Sequence, residues 1–319
     1  MAEHGTTVAD GLTRWLRERG EAATVEITGR ATVGLSQETW FARVAVGEQS
    51  PTDVVLRLPT AASGARAIVT QRKALQAVAG SRVPAPELLW FDDEADGPLG
   101  RPFLVMTRAA GTVPVGWSDL AEPERLALAE QAIDALVELH ALDAASLGPP
   151  VAPGDDLARL TRRLERVGPV PDVLRAALTW LEARVPPAGD VAIVHGDFRM
   201  GNLAVDDGRI TGVLDWELAE AGDPLVDLDW CFIPVWDTPG LDEAPLVERY
   251  RRASGREVDP ERMRWRRVLG YVRLAYFALS GTRAFDGGRS DDLRLAALRL
   301  QLPVALDRLA ATLTGEPVD

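Results

Sequence analysis

Between residues 191 and 217 the chain alternates short apolar runs with polar loops, and this stretch limits the possible folds more than any other. Val191-Ala192-Ile193-Val194 stops directly at His195-Gly196-Asp197-Phe198-Arg199-Met200-Gly201-Asn202. Leu203-Ala204-Val205 follows, Asp206-Asp207-Gly208 is a hairpin signal, and Ile210, Val213 and Leu214 lead into Asp215-Trp216-Glu217. Asp197, Asn202 and Asp215 therefore sit on loops anchored by strands. Such loops hold polar groups near one another while leaving them open to a ligand. Turn chemistry alone explains any one of these residues, but the order and spacing of all three point further. They are the groups that hold Mg²⁺ and a nucleophilic hydroxyl around the terminal phosphate of a nucleotide. Asp197 would accept or orient the hydroxyl proton, Asn202 would offer its carbonyl oxygen to a metal ion, and Asp215 would bridge metal and phosphates. Mg²⁺ prefers hard oxygen ligands and keeps several waters, so few protein ligands suffice.

These positions resemble the H-x-D-x-x-x-x-N and hydrophobic-x-D-x-E signatures of the aminoglycoside phosphotransferase and choline kinase superfamily. The resemblance extends along nearly the whole chain, through Val83-Pro84-Ala85-Pro86, the segment Gly100 to Met106, and Gly222-Asp223-Pro224-Leu225-Val226-Asp227-Leu228. It implies an α+β, bilobal, protein-kinase-like fold, with a small antiparallel β N-lobe at 1–107 and a larger, mostly helical C-lobe at 108–319. It also implies ATP or another NTP, and Mg²⁺, as cofactors. By the same resemblance His195 is a scaffold residue bonding the loop backbone, and Asp227 is a buried carboxylate tying that loop to the following helix. Glu217 is either a second metal-shell group or a solvated loop acid. His140, at the end of a helical pattern, reads as a packed or capping residue.

Composition bounds the class. With 319 residues, 46% of them hydrophobic, and a mean hydropathy of -0.04, the chain can bury sizeable cores as a two-lobed soluble protein. No apolar run is long enough to cross a bilayer and the start lacks a signal-like pattern, so a cytoplasmic location with no membrane partner is expected. The formal charge of -13 argues against a nucleic-acid partner. Arg251, Arg252, Arg262, Arg264, Arg266 and Arg267 form the most basic stretch, and their helical spacing reads as the solvated face of an amphipathic helix. Cys231 is the only cysteine; its apolar neighbours place it in a core rather than among reactive thiols.

Patterning divides the rest. Val8 to Arg19 reads as an amphipathic helix ended by Gly20, and strands are expected at Thr24–Ile27, Trp40–Val46 and Val54–Leu58. The glycine-containing turn between the first two strands would cover nucleotide phosphates with backbone N–H groups, making Gly34, Ser36 and Thr39 candidate contacts. Ala65 to Val78 reads as a helix. Phe103–Met106 reads as a strand leading to a hinge, 107–111, which in the family offers backbone groups to adenine. Met106, Thr107 and Ala109 are the candidates there. Helices follow at Pro123–His140, Asp156–Val167 and Pro171–Arg184, and from Ala244, Pro260 and Asp291 onward.

One departure from the kinase pattern concerns the phosphate-holding cation. The third strand normally carries a Lys paired with a Glu on the next helix; here it carries Arg57, and the helix position holds Gln71. The only lysine, Lys73, lies on that helix. Arg57 can clasp phosphate oxygens with its planar fork, and Gln71 can accept one N–H through its amide oxygen. An Arg on this strand resembles the branch related to kinase domains found with acyl-CoA dehydrogenases. Two functions follow: an ATP-dependent phosphotransferase acting on a hydroxyl of a small molecule (an antibiotic, an amino alcohol or a hydroxyacyl compound), or a nucleotide-binding pseudokinase or regulatory module. Trp230 and Trp236 among Asp229, Asp237, Asp242 and Glu243 can receive a cationic amine or form a solvated loop around buried tryptophans. No oligomeric state follows from the sequence.

Overall fold

A computed structural model describes residues 2–31, 37–60, 64–94, 97–114, 117–233 and 241–315. By internal contacts the chain forms two compact units, Met1–Pro114 with Asn202–Glu220, and Val115–Gly201 with Ala221–Asp319.

In the first unit, helix α1 (Ala2–Glu18) precedes strands β1 (Ala23–Arg30), β2 (Gln37–Val46) and β3 (Thr52–Pro59). Helix α2 (Gly64–Val78) follows, then β4 (Leu88–Asp92) and β5 (Phe103–Thr107). The five strands form one antiparallel sheet in the order β1-β2-β3-β5-β4. The apolar stripe of α1 (Val8, Leu12, Trp15, Leu16) covers Trp40, Val44, Leu56 and Phe103 of that sheet. Each such side chain, fully buried, contributes roughly 1.5–3 kcal/mol. The indole N–H of Trp15 is satisfied by Asp92 at 2.5 Å.

The second unit is mainly helical. It holds α3 (Glu122–His140), α4 (Pro153–Val167), α5 (Asp172–Glu182) and the three-residue strand β6 (Ala192–Val194). Strands β7 (Leu203–Asp206) and β8 (Arg209–Val213) belong to the first unit. They pair as a hairpin whose turn puts Asp207 at φ 46° and Gly208 at φ 70°, as a tight two-residue connection requires. Strand β9 (Glu220–Gly222) pairs with β6. After it come α6 (Leu225–Trp230), α7 (Glu243–Ser254), α8 (Pro260–Asp286), α9 (Leu293–Ala297) and α10 (Gln301–Thr314). Asp242, Asp259 and Asp292 cap α7, α8 and α9 by accepting from Ala244, Glu261 and Arg294 N–H groups. The core is leucine-rich and lies between α4, α5, α8 and α10, around Trp265 and Val272.

Candidate active site

In the first unit the hairpin β7–β8 brings Asn202 and Asp215 together. Leu203 faces Val213 in the ladder, and one step further the Leu214 N–H donates to the Asn202 carbonyl at 2.8 Å. The two candidate metal ligands thus stand side by side at the open end of the hairpin. Asp215 is left-handed, at φ 69° and ψ 57°, a conformation costing a non-glycine residue about 1–3 kcal/mol. The next residue holds it there: Trp216 is fully buried and its indole N–H donates to Val213 O at 2.8 Å.

Arg57 reaches this hairpin from β3. Its Nη2 donates to Asp215 Oδ1 at 2.8 Å and its Nε to Gln37 Oε1 at 2.7 Å. Gln37 Nε2 in turn donates to Glu217 Oε2 at 2.6 Å. The expected partner is not involved. Gln71 is fully buried, its Nε2 faces Met106 Sδ at 3.9 Å, and its Oε1 has no hydrogen-bond partner among the described residues. Gln71 lies on the buried face of α2 with Ile68, Ala74 and Leu75, and it does not accept from Arg57 as the sequence suggested. Lys73 is exposed.

Thr39 lies opposite Arg57 in the β2–β3 register, while Gly34 and Ser36 lie outside the described residues. Met106 is buried at 4% exposure. The Thr107 N–H donates to Glu87 O at 2.9 Å, and its Oγ1 accepts the Glu87 N–H at 2.9 Å. Beyond Ala109 the hinge joins the hairpin, because Thr112 and Val205 exchange backbone hydrogen bonds of 3.0 and 2.8 Å. Gly111 permits this: at φ 74°, a Cβ there would sit 2.0 Å from Val205 O. Hinge and metal-candidate hairpin are therefore one piece of structure.

The second unit carries the other half of the motif. Asp227, fully buried on α6, accepts the His195 N–H at 2.6 Å through Oδ2 and the Gly196 N–H at 2.8 Å through Oδ1. The two donors follow β6, and Gly196 adopts φ 80° to present its own. Removing the carboxylate would orphan both, at about 1–3 kcal/mol each. His140 stands on the other side: Nε2 lies 3.4 Å from Asp227 Oδ2 and Nδ1 2.8 Å from the Tyr250 hydroxyl. With the proton on Nε2, facing the carboxylate, Nδ1 accepts from Tyr250. His195 Nδ1 accepts the Asp197 N–H at 3.2 Å. Asp197 itself is held at both oxygens, by Trp230 Nε1 at 2.7 Å on Oδ1 and Arg199 Nε at 3.3 Å on Oδ2. The Arg273 guanidinium lies over the Trp230 ring at 4.6 Å and donates to the Gly196 carbonyl. Tyr250, Arg199 and Arg273 were not picked out from the sequence: Arg199 lies within the motif, two positions from Asp197, whereas Arg273 and Tyr250 act across 77 and 110 positions, where no local pattern marks them.

Of the acids weighed either as a cationic-amine site or as a solvated loop, three have partners elsewhere in the structure. Asp229 and Glu243 both bind Arg267, at 2.5 and 2.8 Å, and Asp242 caps α7. Trp236 and Asp237 lie outside the described residues. Burial pushes the Asp229 carboxyl up to about 6 against the opposing pull of Arg267, while Arg267 is held above its usual range because Asp229 and Glu243 outweigh its own burial. The basic stretch of α8 is likewise not a solvated face. Arg266 is buried, and with Arg262 it converges on Asp223 Oδ2 at 2.9 Å. Burial opposes the charge of Asp223, but the two arginines and the Leu225 N–H outweigh it and hold the carboxyl below its usual range. Only Arg251 and Arg252 match the expectation, exposed and paired with Glu248. Burial raises the Cys231 thiol well above its usual range, and its Sγ faces the Asp227 carbonyl at 3.1 Å, as a core cysteine should.

A model of the phosphotransferase enzyme family matches residues 30–266. The chain belongs to that family. Membership places it among phosphotransferase enzymes, and the solved structures agree in fold, a protein-kinase-like α+β architecture. A Ralstonia eutropha protein named as an aminoglycoside phosphotransferase superposes with a TM-score of 0.77 at 19% identity, covering 96% of this chain and 98% of that one. APH(4)-Ia, in a ternary complex with ADP and hygromycin B, superposes with a TM-score of 0.65 at 20% identity, over 96% and 99% of the two chains. In sequence, acyl-CoA dehydrogenase family member 11 of Gallus gallus is 32% identical over 227 residues, 62% of this chain and 29% of the relative. The chain thus spans less than a third of the length of the curated relatives it matches first. Among the described residues of this phosphotransferase-family chain, no helix is long and apolar enough to cross a membrane.

Proposed function

We propose that this chain transfers the terminal phosphoryl group of ATP, or of another nucleoside triphosphate, to a hydroxyl of a small molecule. The observation that carries the reading is the 2.8 Å pair between Arg57 and Asp215 at the open end of the hairpin, beside Asn202. A cation suited to phosphate and a carboxylate suited to a metal meet at one point, and the strained backbone of Asp215 marks that point as built for a task. The residues fit Mg²⁺: the Asp215 side chain is 30% exposed, and with the Asn202 amide it offers two hard oxygens. Bound there, the ion would neutralise charge developing on the phosphates.

The chain's own groups then have distinct tasks. Arg57 grips phosphate oxygens. Thr107 and Ala109 offer the hinge backbone to the base, Thr107 through its carbonyl because Glu87 takes its N–H, and Met106 lines the apolar side. Thr39, from β2, together with Gly34 and Ser36, contacts the phosphates. Asp197 takes the proton of the acceptor hydroxyl as that oxygen bonds to the γ-phosphorus and the bond to the bridging oxygen of the leaving diphosphate breaks. His195 and Asp227 hold the loop.

The surroundings of Asp197 support a hydroxyacyl compound over an antibiotic amine or amino alcohol. Arg199 and Arg273 bond to Asp197 and to the adjacent Gly196 carbonyl, and Asp229, Asp242 and Glu243 are engaged elsewhere. The likeness to acyl-CoA dehydrogenase family members supports the same acceptor class. The test is Mg²⁺-dependent ATP turnover with an aminoglycoside, an amino alcohol and a hydroxyacyl thioester. Transfer to the thioester alone is expected. Turnover confined to the cationic acceptors would overturn the acceptor assignment, and nucleotide binding without transfer to any of them would favour the regulatory module.

A further inference from the structure

We infer that Gln37, held by Glu217, is the positioning residue for Arg57, doing for this cation what a helix carboxylate does for the usual strand lysine. The inference rests on reading Arg57 as the phosphate-gripping group. Three contacts in series build it: Glu217 Oε2 to Gln37 Nε2 at 2.6 Å, Gln37 Oε1 to Arg57 Nε at 2.7 Å, and Arg57 Nη2 to Asp215 Oδ1 at 2.8 Å. Gln37 is 6% exposed and the Arg57 side chain 13%, so water does not compete strongly for either bond.

The chemistry of these groups permits one arrangement. A guanidinium only donates and a carboxylate only accepts, whereas an amide does both from opposite ends. Glu217 requires the NH₂ end of Gln37 and Arg57 requires the oxygen, so the amide cannot flip without losing both contacts. The carboxylate also polarises the amide and strengthens the oxygen as an acceptor. The contact at Nη2 is the one that an arriving phosphate or metal ion would contest; the contact at Nε uses a separate N–H and stays. Gln37 is thus a pivot, and the helix residue Gln71, which faces Met106, has no part in it.

The test measures Mg·ATP affinity by calorimetry, with steady-state kinetics, on the full chain. Gln37→Leu should weaken Mg·ATP binding about tenfold, mainly through KM rather than kcat, with Tm little changed. Gln37→Glu sets two carboxylates where the 2.6 Å amide contact stood and should weaken binding similarly. Gln37→Glu combined with Glu217→Gln reverses the polarity of the relay and should return affinity to within about threefold of the parent, a positive coupling in a double-mutant cycle. Gln71→Met should leave affinity unchanged. The inference is overturned if the combined variant is no better than the sum of its parts, or if Gln71→Met weakens binding as much as Gln37→Leu. Should Gln37→Leu fail to fold, the near-isosteric exchange and its single arms decide alone. Arg57→Ala separates the two levels: unchanged affinity there removes the phosphate role and the pivot with it, whereas a loss in Arg57→Ala without one in the Gln37 variants removes only the pivot.

Discussion

The indole N–H of Trp230 donates to Oδ1 of Asp197 at 2.7 Å, so a residue of α6 fixes the rotamer of the proposed base. The same ring carries the Arg273 guanidinium on its face, and Arg273 also reaches the Gly196 carbonyl. Side chain and backbone of the loop are therefore held from two helices, α6 and α8, which is how a base is kept within reach of its proton without adjusting during the reaction.

This relation separates two variants. Asp197→Ala should lower kcat by about 10²–10⁴-fold, the usual contribution of a positioned base, with Mg·ATP affinity retained. Trp230→Phe keeps the packing and deletes one donor, so it should lower kcat by roughly tenfold and leave nucleotide KM unchanged. Steady-state kinetics with calorimetry checks both, and near-parental turnover in Asp197→Ala would remove this residue from the mechanism.

Asp215→Asn should weaken Mg·ATP binding more than Asn202→Ala. It removes a formal charge from the metal position and also the anion that holds Arg57. Titration of each variant with ATP, with and without Mg²⁺, measures this. Equal binding by Asp215→Asn and the parent would end the metal assignment.

Arg57→Lys should recover only part of what Arg57→Ala loses, because a point ammonium cannot bind Gln37 and Asp215 at once in the geometry of a planar fork. Adding Gln71→Glu to Arg57→Lys should not help. Gln71 is fully buried and its oxygen has no partner among the described residues, so a carboxylate there is desolvated and unpaired and should cost stability. Recovery of Mg·ATP affinity in that double variant would show that α2 supplies the partner after all.

Asp229 makes stability depend on pH. Its carboxyl is raised to about 6 by burial, against the pull of Arg267. Between about pH 4 and pH 6 the native state therefore binds more protons than the unfolded chain, and stability falls as pH rises through that window. Asp229→Asn removes this proton, so relative to the parent it should gain stability with rising pH, by up to on the order of 3 kcal/mol by pH 7. Urea melts at pH 4.5, 5.5 and 7 measure the difference; parallel pH profiles would exclude Asp229 as the source.

What could be read directly from the residues was local. The turn at Asp207-Gly208, the apolar runs around it and the helical periodicities needed only near neighbours, because φ preferences and the periods of strand and helix are properties of adjacent residues. For the same reason the spacing of Asp197, Asn202 and Asp215 was visible, and with it the family. The short strands β4 and β9 were not foreseen, since they lack a clear alternation and exist by pairing with β5 and β6.

Partnership was decided elsewhere. Nothing near Arg57 in the chain says that Gln37 rather than Gln71 receives its Nε, or that Gln37 is held by a residue 180 positions away. Arg262, Arg266 and Arg267 looked like a solvated stripe because Asp223, Asp229 and Glu243 are far from them in sequence; only the packing of α6 and α7 with α8 brings those carboxylates in. The sequence by itself determined which chemical groups the chain possesses and the elements they ride on. Which charge meets which depended on the tertiary structure, because electrostatic pairing acts through space and requires the fold to have formed first.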